Sequence, residues 1–261
     1  MKTILLTGAA GGVARQVRPL LRQHYRLRLS DVKPVADRTE DETMVTAELG
    51  DVDALRAAIR GVDGILHLGG YSVESSWEVI HAANIVGCQN LFEAARLEAV
   101  KRIIFASTNH VVGFYRRDQT IGIDVPVQPD SRYGLSKAFG EALGALHARK
   151  YGAEVMSIRI GNITPAPIDA RALAIWQSPR DFVQLVRIGL EHPDIRSEIV
   201  YGMSDNARAW WDNSNAHRLG YRPEDRSEDF APEILQRGDG LSGDPRIDLY
   251  QGGRFCIAES M

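Results

Sequence analysis

The sequence predicts an α/β protein: a doubly wound parallel sheet with a small C-terminal lobe. Three observations carry that reading. Short apolar runs alternate with amphipathic helical stretches through most of the 261 residues, the pattern of strands covered by helices on both faces. A glycine-rich stretch, TGAAGGVA (7–14), falls directly between the first run and the first helix. The residues able to do chemistry lie at the carboxyl ends of the runs, where open parallel sheets bind ligands.

Each element follows from its own residues. TILLT (3–7) is an apolar run stopped by glycine, as in a buried strand. A helix is expected over 12–23, and YRLRLSD (25–31) alternates as a second strand. TMVTAEL (43–49) is the third strand, with a helix over 51–60. GILHLGG (64–70) forms the fourth strand, ending in two glycines, and a long helix is expected over 76–98. KRIIFAST (101–108) is rich in β-branched and aromatic residues, the stretch 131–151 is helical, and EVMSIRIGN (154–162) is another strand. Beyond 162 the pattern loosens around Pro165 and Pro167, with a helix expected over 179–191 and a strand near 198–202. Residues 1–162 therefore read as a dinucleotide-binding core with its catalytic helix. Residues 163–261 read as a small substrate lobe and tail packed on that core as a single unit.

Composition narrows the class. A net charge of −3 gives no electrostatic reason to expect nucleic acid. Arg15, Arg18, Arg22, Arg26 and Arg28 are the one basic cluster, and the first three share a helix face that reads as solvated. Cys88 and Cys256 stand in unrelated contexts with no metal-ligand spacing, so no metal is expected and a reducing cytoplasm fits. No apolar run is long enough to read as a signal peptide or a membrane span.

The glycine stretch has a physical reading. Gly8 allows a tight turn, Gly11 lets backbone approach a pyrophosphate, and the helix start offers free N–H groups to phosphate oxygens. Ala14 replaces the third glycine of the usual pattern and is still small enough for helix–strand packing. Asp31 closes the second strand, where its carboxylate can accept hydrogen bonds from a ribose and repel a 2′-phosphate. That favours NAD over NADP, with Lys33 softening the exclusion.

SRYGLSK (131–137) places Tyr133 and Lys137 one helical turn apart on one face. A free tyrosine ionises near pH 10, and an ammonium about 4 Å away contributes about 4 kcal/mol at an effective dielectric of about 20. A shift of roughly three pKa units would bring the phenol near neutrality and make it a competent general base. Thr108, at the end of the fifth strand, can hold the reacting oxygen through its hydroxyl. His67 reads as a packed residue, and Trp210 and Trp211 as packing or subunit contacts.

These residues resemble the extended short-chain dehydrogenase/reductases, which have the Rossmann fold. HLGGYSVE (67–74), FASTNHVVGFY (105–115), PDSRYGLSKAFGE (129–141), SIRIGN (157–162), IVYGMSDN (199–206), WWDN (210–213) and YQGG (250–253) are similar, more narrowly, to the bacterial uronate dehydrogenases. The resemblance implies NAD-dependent oxidation of D-galacturonate or D-glucuronate at C1 to the aldaro-1,5-lactone by a homo-oligomeric enzyme. It implies Tyr133 as base, Lys137 as its modulator and ribose ligand, and Thr108 where these enzymes commonly carry serine. NAD would lie along Gly8, Gly11, Gly12, Val13, Asp31, Glu48, Leu49, Leu68, Gly69, Gly70, Asn84, Tyr133, Lys137 and Ile160. The sugar acid would meet Ser72, Thr108, Asn109, His110, Tyr133, Asn162 and Arg171, with the planar fork of Arg171 on its carboxylate. Asn162 departs from the serine usual after RIG and brings both a donor and an acceptor.

Two other readings use the same motifs. A nucleotide-sugar epimerase or dehydratase would employ the same Tyr/Lys pair, but usually with a longer C-terminal region and a basic cluster to grip the diphosphate. A non-catalytic dinucleotide sensor would keep the glycine loop and often lack the tyrosine and lysine.

Overall fold

A computed structural model of the chain describes residues 1–238 and 241–258. Residues 239, 240 and 259–261, which belong to the expected C-terminal tail, lie outside the described residues. Nine strands occur in chain order among the described residues: β1 (Thr3–Thr7), β2 (Arg26–Asp31), β3 (Thr43–Thr46), β4 (Gly64–His67), β5 (Arg102–Thr108), β6 (Glu154–Ile160), β7 (Asn162–Ile163), β8 (Trp176–Gln177) and β9 (Ser197–Gly202). Seven form one sheet in the order β3-β2-β1-β4-β5-β6-β9, every pair parallel. The order reverses between β1 and β4, which opens a crevice beyond their carboxyl ends.

The apolar runs are continuous because both faces are buried. Ile4 and Leu6 of β1, Leu27 and Leu29 of β2, Ile104 of β5 and Met156 and Ile158 of β6 join one core. Leu5, Ile65, Ile103, Phe105 and Val155 point the other way into a second. Helices α1 (Gly12–Leu21) and α7 (Pro179–Glu191) contribute to the first core. Helices α2 (Val52–Ile59), α4 (Gly87–Leu97) and α5 (Arg132–Tyr151) cover the second. Phe182, Val183, Leu185 and Val186 of α7 sit in the same core as β1, and β9 completes the sheet. The residues after 162 are thus woven into the same body.

Helix α5 is bounded by local chemistry. The Ser131 side chain accepts from the Gly134 N–H at its start, and Gly152 ends it with φ 69°, in the left-handed region. Gly140 lets the helix lie close on the sheet, since a Cβ there would stand 2.2 Å from the Phe105 ring.

Two expectations are corrected. The helix expected over 76–98 is interrupted: α3 (Trp77–Ile80) passes through a π-helical turn (His81–Val86) before α4 begins. Such turns re-aim side chains and are frequent at functional sites. The arginine face on α1 is not uniformly solvated. Arg18 is buried, with its guanidinium 2.9 Å from Asp37 and 2.7 Å from Glu42, and Arg22 donates to the Thr39 hydroxyl. The partners lie in the connection after β2, where the sequence carries no periodic signal.

Candidate active site

A cleft of about 1040 Å³ runs along the carboxyl edge of the sheet, lined by Gly12 and Asp31 as well as by Arg171 and Phe255. Its first half is backbone. Gly8 has φ 67°, and a Cβ there would stand 2.7 Å from the Leu68 carbonyl, so only glycine serves. Gly11 caps α1 without a side-chain hydrogen bond, and a Cβ on Gly12 would meet nothing within 4 Å, so the N–H groups of the first turn face open cleft. Asp31 is pinned by the Ala10 and Lys33 N–H groups, each at 3.0 Å. Bare backbone, a positive helix end and a fixed carboxylate about twenty residues on fit a dinucleotide.

Behind the loop, the Thr7 hydroxyl lies 2.7 Å from His67 Nδ1 and accepts from the Gly69 N–H at 3.2 Å. Burial, with Lys137 adding to it, pushes the imidazole down to about 3. His67 is therefore a neutral packed residue, as the sequence suggested, and it braces the glycines of the β4 end.

The centre of the cleft holds Thr108, Tyr133 and Lys137. The Thr108 hydroxyl, which accepts from the His110 N–H at 3.3 Å, neighbours the Tyr133 phenol. The N-terminus of α5 is anchored by Glu74, which accepts from the Tyr133 N–H at 3.0 Å and from Arg132 at 3.2 Å. The ionisation of the pair differs from the expectation. Burial raises the Tyr133 phenol to about 12, against the lowering influence of Thr108. Lys137 is itself pushed down to about 8 by burial. Its ammonium stands over two rings, 4.9 Å from the centroid of Phe105 and 5.9 Å from that of Tyr133. Desolvation thus outweighs the acidification expected from the lysine in the protein alone.

At the far end, Arg171 reaches the cleft from the start of α6 (Ala172–Ile175). Burial and the neighbouring Arg117 hold its guanidinium down to about 10. Its Nη2 donates to the Gln251 carbonyl at 2.5 Å, its Nε has no hydrogen-bond partner, and it forms no ion pair among the described residues. His110 stands beside Tyr133 with ring centroids 5.9 Å apart, and its Nδ1 lies 2.7 Å from the buried Asp130 carboxylate. Asn162 lines the wall with its Oδ1 accepting from Thr164 at 2.7 Å.

The cleft collects Gly8, Gly11, Gly12, Val13, Asp31, Glu48, Leu49, Leu68, Gly69, Gly70, Tyr133, Lys137 and Ile160, together with Ser72, Thr108, His110, Asn162 and Arg171. Two expected members, Asn84 and Asn109, are not among the residues that line it. Asn84, on the π turn, is buried behind the wall: its amide pairs with both backbone groups of Tyr71 and with the Ser136 hydroxyl. It ties the loop before Ser72 to helix α5, bonding backbone beside the cleft. Asn109, in the 3-10 turn after β5 (Asn109–Val112), is 1% exposed, and neither its side-chain nitrogen nor its oxygen has a hydrogen-bond partner among the described residues. Phe255 was not foreseen. Its ring stacks on His110 at 3.8 Å between centroids and lines the cleft. It lies in a stretch of sequence with neither periodicity nor motif, so only the family likeness of the nearby YQGG hinted at it.

Comparison with known proteins agrees with this geometry. Residues 4–171 match the NAD dependent epimerase/dehydratase family. The chain is 45% identical over 257 residues to a uronate dehydrogenase of Pseudomonas putida, covering 98% of this chain and 96% of that protein. It is 41% identical over 256 residues to one of Agrobacterium fabrum, covering 98% and 97%. A solved uronate dehydrogenase from Agrobacterium tumefaciens, a mutant complexed with NAD, superposes with a TM-score of 0.96 at 40% identity, covering 100% of this chain and 99% of that one. The chain belongs to the NAD dependent epimerase/dehydratase family, on the branch of the uronate dehydrogenases.

Proposed function

We propose that this protein oxidises D-galacturonate or D-glucuronate at C1 with NAD, giving the aldaro-1,5-lactone, with Tyr133 as general base. One observation carries the reading. Arg171 is a half-buried guanidinium with no carboxylate within ion-pair distance among the described residues, in the same cleft as Tyr133 and the glycine loop. Asp169 and Asp130 act on it only from beyond ion-pair distance, and a sugar acid supplies a paired carboxylate while its anomeric end reaches the phenol.

The backbone of Gly11 to Val13 would hold the pyrophosphate of NAD and Asp31 an adenosine ribose hydroxyl. Bound NAD supplies the hydride acceptor and, when oxidised, a positive charge. The Thr108 hydroxyl holds the C1 oxygen of the sugar against Tyr133. The phenolate takes the hydroxyl proton as the C1–H bond breaks and the C1=O bond forms. Lys137 supports the phenolate and offers its ammonium to the neighbouring ribose. Arg171 and Ser72 hold the opposite end of the sugar, and Phe255 covers the site from water.

The test is direct. Purified protein mixed with NAD and galacturonate or glucuronate should generate NADH absorbance, and glucose should not. Net reduction also separates this reading from an epimerase, which returns the hydride. Arg171→Ala should raise KM for both uronates by about 30-fold while kcat changes by less than about threefold. Equal turnover of glucose by the unaltered protein would overturn the carboxylate reading.

Two free thiols suit a reducing cytoplasm. The exposed Leu135 and Leu146, on the outward face of α5, support self-association. Light scattering from a purified sample checks this, and a monomer at micromolar concentration refutes it. Among the described residues no helix is long and apolar enough to cross a membrane.

A further inference from the structure

We infer that Gln251 is the positioning residue that sets the orientation of the Arg171 guanidinium, with Trp211 as its brace. This joins WWDN and YQGG, two stretches far apart in the chain, into one device. It rests on the reading of Arg171 as the group that grips the substrate carboxylate.

The Gln251 side chain is fully buried, and each of its polar atoms is engaged. Its Nε2 donates to the carbonyls of Arg116 and Gln119, both at 3.1 Å, and its Oε1 accepts from the Trp211 indole at 2.9 Å. Its own N–H donates to the Tyr115 carbonyl at 2.9 Å. The residue is therefore clamped, and the carbonyl it presents is the one that accepts from Arg171 Nη2. Gly253 completes the seat: its φ is 61°, and a Cβ there would stand 2.9 Å from Arg171 Nε.

Trp211 is equally constrained. It stacks on Tyr201 with centroids 4.8 Å apart and planes 8° apart, and the Tyr201 hydroxyl donates to the Gly122 carbonyl at 3.0 Å. A Cβ on Gly161 would lie 3.0 Å from the indole, so the ring is flanked on that side too. A guanidinium binds a carboxylate through two parallel N–H bonds only when its plane is correctly turned. No carboxylate among the described residues lies within ion-pair distance of the Arg171 side chain to turn it, Asp169 and Asp130 acting from farther away. The Gln251 carbonyl supplies that constraint through one Nη2 hydrogen and leaves the other donors free.

The experiment is a double-mutant cycle on the full-length protein, read as KM for galacturonate, kcat and the NAD dissociation constant. Gln251→Met, close in volume, should raise the galacturonate KM by about tenfold, with kcat and NAD affinity within about threefold. In an Arg171→Ala background the same substitution should add less than about twofold, because it acts through the arginine. Trp211→Phe keeps the stack on Tyr201, removes one donor, and should raise KM about threefold. This milder variant carries the test should Gln251→Met fail to fold.

An unchanged KM in Gln251→Met, or in Trp211→Phe where the first does not fold, overturns the inference. So does a full tenfold effect that persists without Arg171, or a parallel loss of kcat and NAD affinity, which marks a general loosening. If Arg171→Ala raises KM and the Gln251 variant does not, this inference alone falls. If Arg171→Ala leaves KM unchanged, the carboxylate reading falls and takes this one with it.

Discussion

Tyr133→Phe is expected to lower kcat by about 10³-fold, within the range for loss of a positioned general base, while leaving NAD affinity within about threefold. The ring stays, so the packing against His110 and Phe255, with centroids 5.9 and 6.1 Å away, is kept. What is lost is the phenolic oxygen, whose ionisation the neighbouring Thr108 favours. One neutral hydrogen bond contributes about 1 kcal/mol, so folding stability should change by no more than that. The pH dependence has a definite sign. Burial holds the phenol at about 12 in the protein alone, and the active form is the phenolate. Activity should therefore rise as pH rises from 6 toward 9 (roughly the range where other groups leave the fold intact). Steady-state kinetics of the variant, with NAD binding measured by calorimetry, checks both statements. More than a tenth of the unaltered kcat would remove Tyr133 as the base.

The sequence made the strands and the glycine loop legible because their signals are local. Ile4, Leu5 and Leu6 announce a strand buried on both faces, and Gly8 announces a turn that no other residue can make. Tyr133, Lys137 and Thr108 were legible because helix and strand periodicity bring them to one edge of the sheet. Other features depend on geometry that no window of sequence encodes. Asn84 sits on a π turn, and its partners, Tyr71 and Ser136, come from two other parts of the chain. Arg18 finds Asp37 and Glu42 only once the chain after β2 folds back. Phe255 and Gln251 reach the site from a segment held by backbone bonds to Gly113 and Tyr115, which leave no trace in composition. The ionisation of the Tyr/Lys pair is not legible in the sequence for a related reason. Spacing places the two groups together, but burial of both groups sets their ionisation.

Lys137→Met should abolish most activity and yet make the protein more stable without cofactor. Lys137 is 6% exposed, and its ammonium has no carboxylate partner among the described residues, only the faces of Phe105 and Tyr133. Burial lowers it from 10.5 to about 8. At pH 7.5 the lysine is mostly charged in both folded and unfolded chains, so the folded state carries nearly the full cost of the buried charge, about 3 kcal/mol. Methionine fills similar space with no charge to desolvate, and the variant should gain about that amount. Between about 8 and 10.5 the unfolded chain retains a proton that the folded one has released. Stability of the unaltered protein therefore rises through this window. The advantage of the variant should shrink from about 3 kcal/mol at pH 7.5 to less than about 1 kcal/mol at pH 10. Urea unfolding of both proteins at the two pH values measures the difference. The same substitution removes the cation that supports the phenolate and the ribose, so kcat should fall by about 10²-fold and NAD binding should weaken. A variant less stable than the original at pH 7.5 would show that the cation is held by favourable contacts that outweigh its desolvation. A more stable, inactive variant identifies Lys137 as a residue kept for chemistry at the expense of the fold.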